Sequence, residues 1–394
     1  MSCNEWQKVK LGDLIESISV KHSFNKNKLI FLNTSDILEG KVLHNNYSDI
    51  EGLPGQAKKS IKKDDILFSE IRPKNKRFAY VDFDSDDYVV STKLMVLRKK
   101  SNNINNRYLY YYLTSDKTLN YLQTIAEGRS GTFPQITFNE LKIIEIDLPP
   151  IEEQEKIANI LSSLDDKIEL NNKMKKTLEE MAQSLFKRWF VDFEFPNEDG
   201  EPYKSSDGEM VDSELGMIPK GWEVGTLDNL GVFKNGKGIN QDLRNDNGKN
   251  LIYGSNGIIG KTDEVLQKDN CIIIGRVGAY CGSIQLSLEP CWVTDNAIMG
   301  TAKQRKYLPY LHRFLLNYPL RESAGGSAQP LINQSILKSI LTVMPPNELF
   351  DKYYDISKEI IYKIDDNNKE NIMLSEIRDS LLPKLMSGEI DINL

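Results

Sequence analysis

Forty consecutive residues without proline or glycine, Ile151–Phe190, constrain this chain more than any other stretch. They follow Pro149-Pro150, and proline is excluded from a helix interior because its ring clashes with the preceding turn and it has no N–H to donate. Good helix formers dominate, with Glu152, Glu153 and Glu155 at the start and Lys187 and Arg188 at the end, the polarity that suits the helix dipole. Steps of four and three from Ile157 pass through Leu161, Leu164, Ile168, Asn171, Lys175, Leu178, Ala182, Leu185 and Trp189. That is a coiled-coil seam with two polar residues in its middle. A helix of this length is about 60 Å long and cannot bury its own seam. It requires a partner helix.

The chain supplies one. Pro149-Pro150 recurs as Pro345-Pro346, Lys167-Ile168 as Lys363-Ile364, Asn171-Asn172-Lys173 as Asn367-Asn368-Lys369, and Ser184-Leu185 as Ser380-Leu381, all at one offset of 196. Pro134 and Pro330 share it. A period this long means a duplicated domain-plus-helix rather than a solenoid, whose units are several-fold shorter. The globular parts repeat more loosely. Trp6 opens one and Trp222 the other, and Arg107-Tyr108-Leu109 resembles Lys306-Tyr307-Leu308. Asp65–Arg72 parallels Asp269–Arg276, each an apolar strand with Asp seven residues before Arg. Tyr88–Arg98 and Val293–Met299 also read as strands between polar, Gly-rich turns. Each half is expected to be an α+β domain followed by one long helix. The segment Val191–Lys220 between them is polar and acidic with Gly and Pro, and reads as a linker.

The net charge of −7 is unevenly placed. Residues 1–150 hold 22 Lys and Arg against 19 Asp and Glu, and residues 201–346 hold 15 against 15. Residues 151–200 hold 7 against 12, and residues 347–394 hold 6 against 11. The acidity sits in the helical arms, so the total is a poor guide to what the domains bind. Cys3, Cys271, Cys281 and Cys291 form no disulfide framework, and with three histidines no zinc spacing exists. With no apolar leader and no membrane-length apolar run, the chain is expected to be cytoplasmic.

Searches for catalytic motifs fail. No Gly-x-Ser-x-Gly elbow, metal-spaced His pair or Asn-Pro-Pro-aromatic methyltransferase sequence is present. Gly254–Thr262 ends in Gly-Lys-Thr but has five residues between its outer glycines where a P-loop has four, so it reads first as a tight turn between strands. If it does meet nucleic acid, Ser255, Asn256 and Lys261 are the candidates. Arg72, Lys74, Lys76 and Arg77 put four cations just after a strand, where a loop can follow a phosphate backbone, although a solvated charge run reads the same way. Arg129, Ser130, Thr132 and Gln135 lie in a loop of small donors able to face base edges. Ser327 and Gln329 take that place in the second half, and Arg276 matches Arg72. The alternative for both loops is a turn entering the strand before each long helix. Tyr108, Tyr110, Tyr111 and Tyr112 read as helix-packing residues. Asn171 and Asn367 hold equivalent seam positions, where a buried Asn fixes register.

Several stretches together carry a resemblance that covers essentially the whole chain. They are Gly131-Thr132-Phe133-Pro134-Gln135-Ile136, Leu148-Pro149-Pro150-Ile151-Glu152-Glu153-Gln154, Leu185-Phe186-Lys187-Arg188-Trp189-Phe190-Val191-Asp192-Phe193, Ile218-Pro219-Lys220-Gly221-Trp222 and Leu381-Leu382-Pro383-Lys384-Leu385-Met386-Ser387-Gly388-Glu389-Ile390. With them the chain resembles the specificity subunit of type I restriction-modification systems. The resemblance implies an α+β protein with two globular α/β target-recognition domains joined by two long antiparallel helices, a pseudo-two-fold internal repeat. The implied layout is domain one over 1–148, a helix over 149–190, a linker over 191–221, domain two over 222–344 and a second helix over 345–394. Each domain would read one half of a bipartite, asymmetric site in double-stranded DNA, with the helices setting the spacer. No active site is implied on this chain. Two methyltransferase subunits using S-adenosylmethionine, and restriction/translocase subunits using ATP and Mg, are the implied partners. A fused single-chain restriction or methyltransferase enzyme and a protein-binding coiled-coil scaffold are the competing readings. The second helix departs from the first, with polar Ser357, Asn371 and Arg378 at seam positions, and a less regular coil is expected there.

Overall fold

The computed structural model describes residues 6–128, 133–325, 330–390 and 392. The chain divides into two compact units, Met1–Glu169 with Asn371–Leu394, and Leu170–Glu370. The division falls within the two long helices, not at their ends. Each unit therefore consists of a globular part plus a length of both helices.

In the first unit, a four-stranded antiparallel sheet has the order Ile15–Ile18, Leu94–Lys99, Ile66–Ser69, Phe78–Tyr80. Both faces of its central strands are buried, which is why they read as continuous apolar runs rather than as alternation. Ile66, Phe68, Met95 and Leu97 point into a core shared with the helices Asn106–Thr114 and Asp116–Glu127. Leu67, Leu94 and Val96 point the other way, into a second core with Ile30, Leu32 and Val90. These last belong to a second sheet, ordered Tyr47–Asp49, Lys28–Leu32, Tyr88–Ser91, Ala57–Ser60. Each such side chain contributes roughly 1.5–3 kcal/mol through burial. Tyr108, Tyr110 and Tyr111 are buried on their helix, as its periodicity requires.

The second unit repeats this plan. Its main sheet runs Gly231–Asn235, Ala297–Ala302, Cys271–Gly275, Ile284–Ser287. Ile272, Ile274 and Ile298 face the helix side, while Cys271, Ile273 and Met299 face a smaller three-stranded sheet. Both units close alike. Gln7–Lys10 pairs with Glu145–Leu148, and Glu223–Thr226 pairs with Leu341–Met344, so the strand entering each long helix is held by the strand that opens its unit.

The long helices span Ile151–Phe190 and Asn347–Met386 and run antiparallel to each other in both units. The first is pinned at its start by Gln154, fully buried, whose amide nitrogen donates to the carbonyls of Asn103 and Pro149 while its oxygen accepts from Asn105 N. In the first unit Asp165 accepts from Arg378 of the other helix at 2.8 Å and from the hydroxyl of Tyr111 at 2.6 Å. In the second unit Asn171 Nδ2 donates to Glu370 at 2.8 Å, and Trp189 packs on Tyr353 with ring centroids 5.8 Å apart. Ile157, Leu161, Asn171, Ala182 and Trp189 are buried, and the seam positions between them are half-buried. The second helix is one element from Asn347 to Met386 with Pro383 inside it; of the polar seam residues noted in it, Arg378 meets Asp165, whereas Ser357 is buried with its Oγ unpartnered. Among the described residues no helix is long and apolar enough to cross a membrane.

The segment read as a linker is folded. Phe195 stacks between Trp222 and Tyr203, Phe193 meets Trp222 edge-on, and Met210–Val211 pairs with Ile218–Pro219. Its few aromatic residues fold it into the second unit against a polar average composition.

Two outcomes follow from this packing. Replacing buried Asn171 by Leu removes a polar group from an apolar seam, and Glu370, only half-buried, is able to hydrate instead. Thermal melting of Asn171→Leu is expected to rise, at roughly 2–4 °C per kcal/mol gained. An unchanged or lower Tm would count against the register role. His312 is buried on the helix Leu308–Asn317, and desolvation, helped by adjacent Arg313, pushes its pKa down to about 3 from 6.5. Its neutral form is favoured by folding, so this stability is complete above pH 6.5 and is lost as pH falls toward 3, by up to about 1.4 kcal/mol per pH unit. Denaturant titrations at pH 7, 6 and 5 should show that slope, and His312→Leu should flatten it.

Candidate nucleic-acid interface

In the first unit, the strand Ile66–Ser69 runs out into Glu70-Ile71-Arg72, which pairs with Pro134-Gln135-Ile136. Ile71 bridges Gln135, Arg72 N donates to Pro134 O at 3.0 Å, and Ile136 N donates to Glu70 O at 2.8 Å. This pairing fixes the cationic segment to the chain just before the long helix. Arg72 is in the left-handed region at φ 45°, ψ 78°, a short turn follows at Pro73–Asn75, and Lys76 is left-handed again at φ 54°. Two non-glycine residues in that region within five positions reverse the chain tightly at a cost in strain. Pro73 is buried and Lys74 N donates to Gln123 at 3.3 Å, so the turn is seated on the helix Asp116–Glu127.

The four cations of this segment separate into two kinds. Arg77 donates through Nη1 to the carbonyls of Ser35 and Ile37, at 2.9 and 3.1 Å, and holds a neighbouring turn. Lys76 lies 3.3 Å from Asp116 and 3.8 Å from Glu39. Arg72 and Lys74 are exposed. The Arg72 guanidinium lies over the ring of Phe133, 5.4 Å from its centroid. Gln135 is half-buried beside them. Arg129, Ser130 and Thr132 lie outside the described residues, as do Ser327 and Gln329.

In the second unit, Cys271–Gly275 runs out into Arg276-Val277-Gly278. Val277 bridges Leu331, and Ile332 N donates to Arg276 O at 3.0 Å. The sheet partners fix the equivalence: Ser69 pairs with Leu94, and Gly275 with Ala297, in matching strands. Arg276 is thus the counterpart of Glu70, Gly278 that of Arg72, and Cys271 that of Asp65. The match of Arg72 with Arg276 made on Asp–Arg spacing is two residues out of register. Asp65 holds Arg98 with two bonds of 2.7 Å at its own strand, a contact that has no bearing on the loop.

Arg276 is half-buried, and its Nε is buried with no hydrogen-bond partner among the described residues. Its loop meets the hairpin Asn250–Gly254/Gly257–Thr262, where Ser283 Oγ donates to Ser255 O at 2.6 Å. Asn256 at the hairpin tip and Lys261 along its second strand are exposed. The structure therefore brings Arg276, Ser255 and Asn256 to one edge of the unit. Exposed Ile258, Ile259 and Tyr280 share that region, and residue-type searches for cations and amides had no means of selecting them. Phe133 was visible only as part of a motif.

Arg77→Ala is expected to destabilise the first unit by roughly 1–3 kcal/mol through two lost carbonyl partners. Lys74→Ala should stay within about 0.5 kcal/mol. Equal losses in denaturant titration would contradict the division of this segment into anchoring and free cations.

Two repeats built alike, each presenting a strand-exit loop beside its pre-helix segment, have counterparts among known proteins. A family model described as the type I restriction modification DNA specificity domain matches residues 4–180 and 219–374. The HindI specificity subunit, a type I restriction enzyme subunit of Haemophilus influenzae, is 33% identical, with the match covering 98% of this chain and 100% of that one. The MjaIX specificity subunit of Methanocaldococcus jannaschii is 31% identical over 72% of this chain and 69% of its own. The crystal structure of a type I restriction-modification S subunit from M. genitalium shares the fold, with a TM-score of 0.64 at 18% identity over 98% of this chain and 97% of that chain.

Proposed function

Because the chain belongs to the family of type I restriction enzyme specificity subunits, we propose that each unit reads one half of a bipartite, asymmetric DNA site. The observation that carries this is the duplication itself. The same strand-exit and pre-helix pairing occurs in both units, at Ile71 with Gln135 and at Val277 with Leu331, but with different side chains around it. One backbone plan with two chemistries suits two unlike half-sites. The long helices set the spacer between them, and the acidic outer faces of those helices are offered to partner proteins.

In this reading two methyltransferase subunits and the restriction/translocase subunits assemble on the chain in the cytoplasm. S-adenosylmethionine, ATP and Mg belong to those partners, and the chain contributes recognition. On the first unit Arg72, Lys74 and Gln135 meet DNA, and Arg129, Ser130 and Thr132 are further candidates by sequence. On the second, Arg276, Ser255, Asn256 and Lys261 do so, with Ser327 and Gln329.

The test is adenine methylation of a random-sequence DNA library by the chain with its methyltransferase partner, read by sequencing the modified sites. One bipartite motif with a fixed gap is expected, and no methylation from the chain alone. Methylation by the chain alone, or no DNA retained with the partner present, would overturn the reading. Lys74→Ala is expected to weaken binding evenly across sequences and to lower the slope of log K against log salt by about 1.

A further inference from the structure

The two units make the same backbone demand at one position and answer it differently. Gly278 lies in the left-handed region at φ 73°, where glycine meets no Cβ penalty. Its counterpart Arg72 holds the same region at φ 45° with a side chain that makes this conformation unfavourable. A strained residue kept where the fold accepts glycine points to a use for its side chain. Among the described residues Arg72 has no ion pair, whereas Lys76 faces Asp116 and Glu39, and Lys93 lies 4.0 Å from Glu70. The Arg72 side chain instead lies over Phe133, which is 54% exposed although it is a large aromatic residue.

We propose that Arg72, placed over the ring of Phe133, reads a guanine in the half-site of the first unit, and that Phe133 is its positioning residue. This rests on the reading of the chain as a DNA-specificity subunit. The aromatic face attracts the guanidinium and limits its rotamers. A planar fork fits the O6 and N7 acceptors of guanine with two parallel hydrogen bonds, and no other base presents that pair in the major groove. The pairing of Arg72 N with Pro134 O, next in sequence to Phe133, keeps the two side chains in step. Lys76 and Arg77, tied to their own carboxylates and carbonyls, do not compete for the base. In the second unit the equivalent position carries no side chain, so its half-site is read by other groups.

The experiment compares the motif methylated by the chain with its methyltransferase partner for wild type, Arg72→Gly, Arg72→Lys, Phe133→Leu and Phe133→Tyr. Arg72→Gly is expected to raise the Tm, since glycine relieves the backbone, and to relax one guanine position in one half-site by roughly tenfold or more. Arg72→Lys keeps the charge without the fork and should relax the same position while retaining overall DNA affinity. Phe133→Leu should relax it too, and Phe133→Tyr should restore it. The proposal is overturned if Arg72→Gly and Arg72→Lys methylate the original sites with wild-type preference, or if the relaxed position is not guanine. If Phe133→Leu retains full discrimination, the positioning role falls. A wild-type complex without sequence preference would instead sink the specificity-subunit reading, and this proposal with it.

Discussion

A forty-residue helix with a single apolar stripe has no stable place in water, and the fold of both units follows from covering that stripe. The partner helix comes from the other end of the chain, and each unit adds a globular part packed against the pair. Where the seam turns polar, two of the interruptions are answered by a partner side chain, while Ser357 is buried with its Oγ unpartnered. Arg378 meets Asp165, which also takes the hydroxyl of Tyr111 and so ties a domain helix to both long helices. Asn171 meets Glu370. In the second unit the equivalent clamp uses other residues, with buried Arg313 on the domain helix reaching Glu179 on the long helix. Buried Arg313 favours one alignment over its neighbours, since a shift of one turn would leave it without its carboxylate.

Rigid elements position the candidate interface in each unit. Strands buried on both faces end at the sheet edge, and the residues that leave them are zipped to the segment entering the long helix. Loops mounted in this way hold their side chains while their sequences vary. The Arg72 and Gly278 positions show that variation, with one backbone path carrying a guanidinium in one copy and nothing in the other.

Much of this was legible in the residues, and the boundary of legibility has a physical cause. The helices align at one offset because a seam tolerates no insertion, so Asn171 and Asn367 could be matched by eye, and both are buried. The globular halves carry loops of different length, and there spacing misleads. Asp65 and Asp269 occupy different strand positions despite equal distances to an arginine, and only the ladder of sheet partners corrects the register. Composition hid the packing of residues 191–220, because three aromatic rings outweigh many polar neighbours once they meet one another and Trp222. The exposure of Phe133 was equally hidden, since an apolar residue in a motif looks like core until its surroundings are known.

The two units also differ in how they are threaded. Leu170–Glu370 is one continuous stretch, whereas the other unit joins Met1–Glu169 to Asn371–Leu394. During synthesis the continuous unit has all its residues available before Asn371–Leu394 is made. The N-terminal globular part, made first, forms its core cluster around Ile157, Ala158 and Leu161 without Leu385 and its neighbours until the second helix is made. Of the two units, the one whose residues come first in the chain is therefore the one completed second.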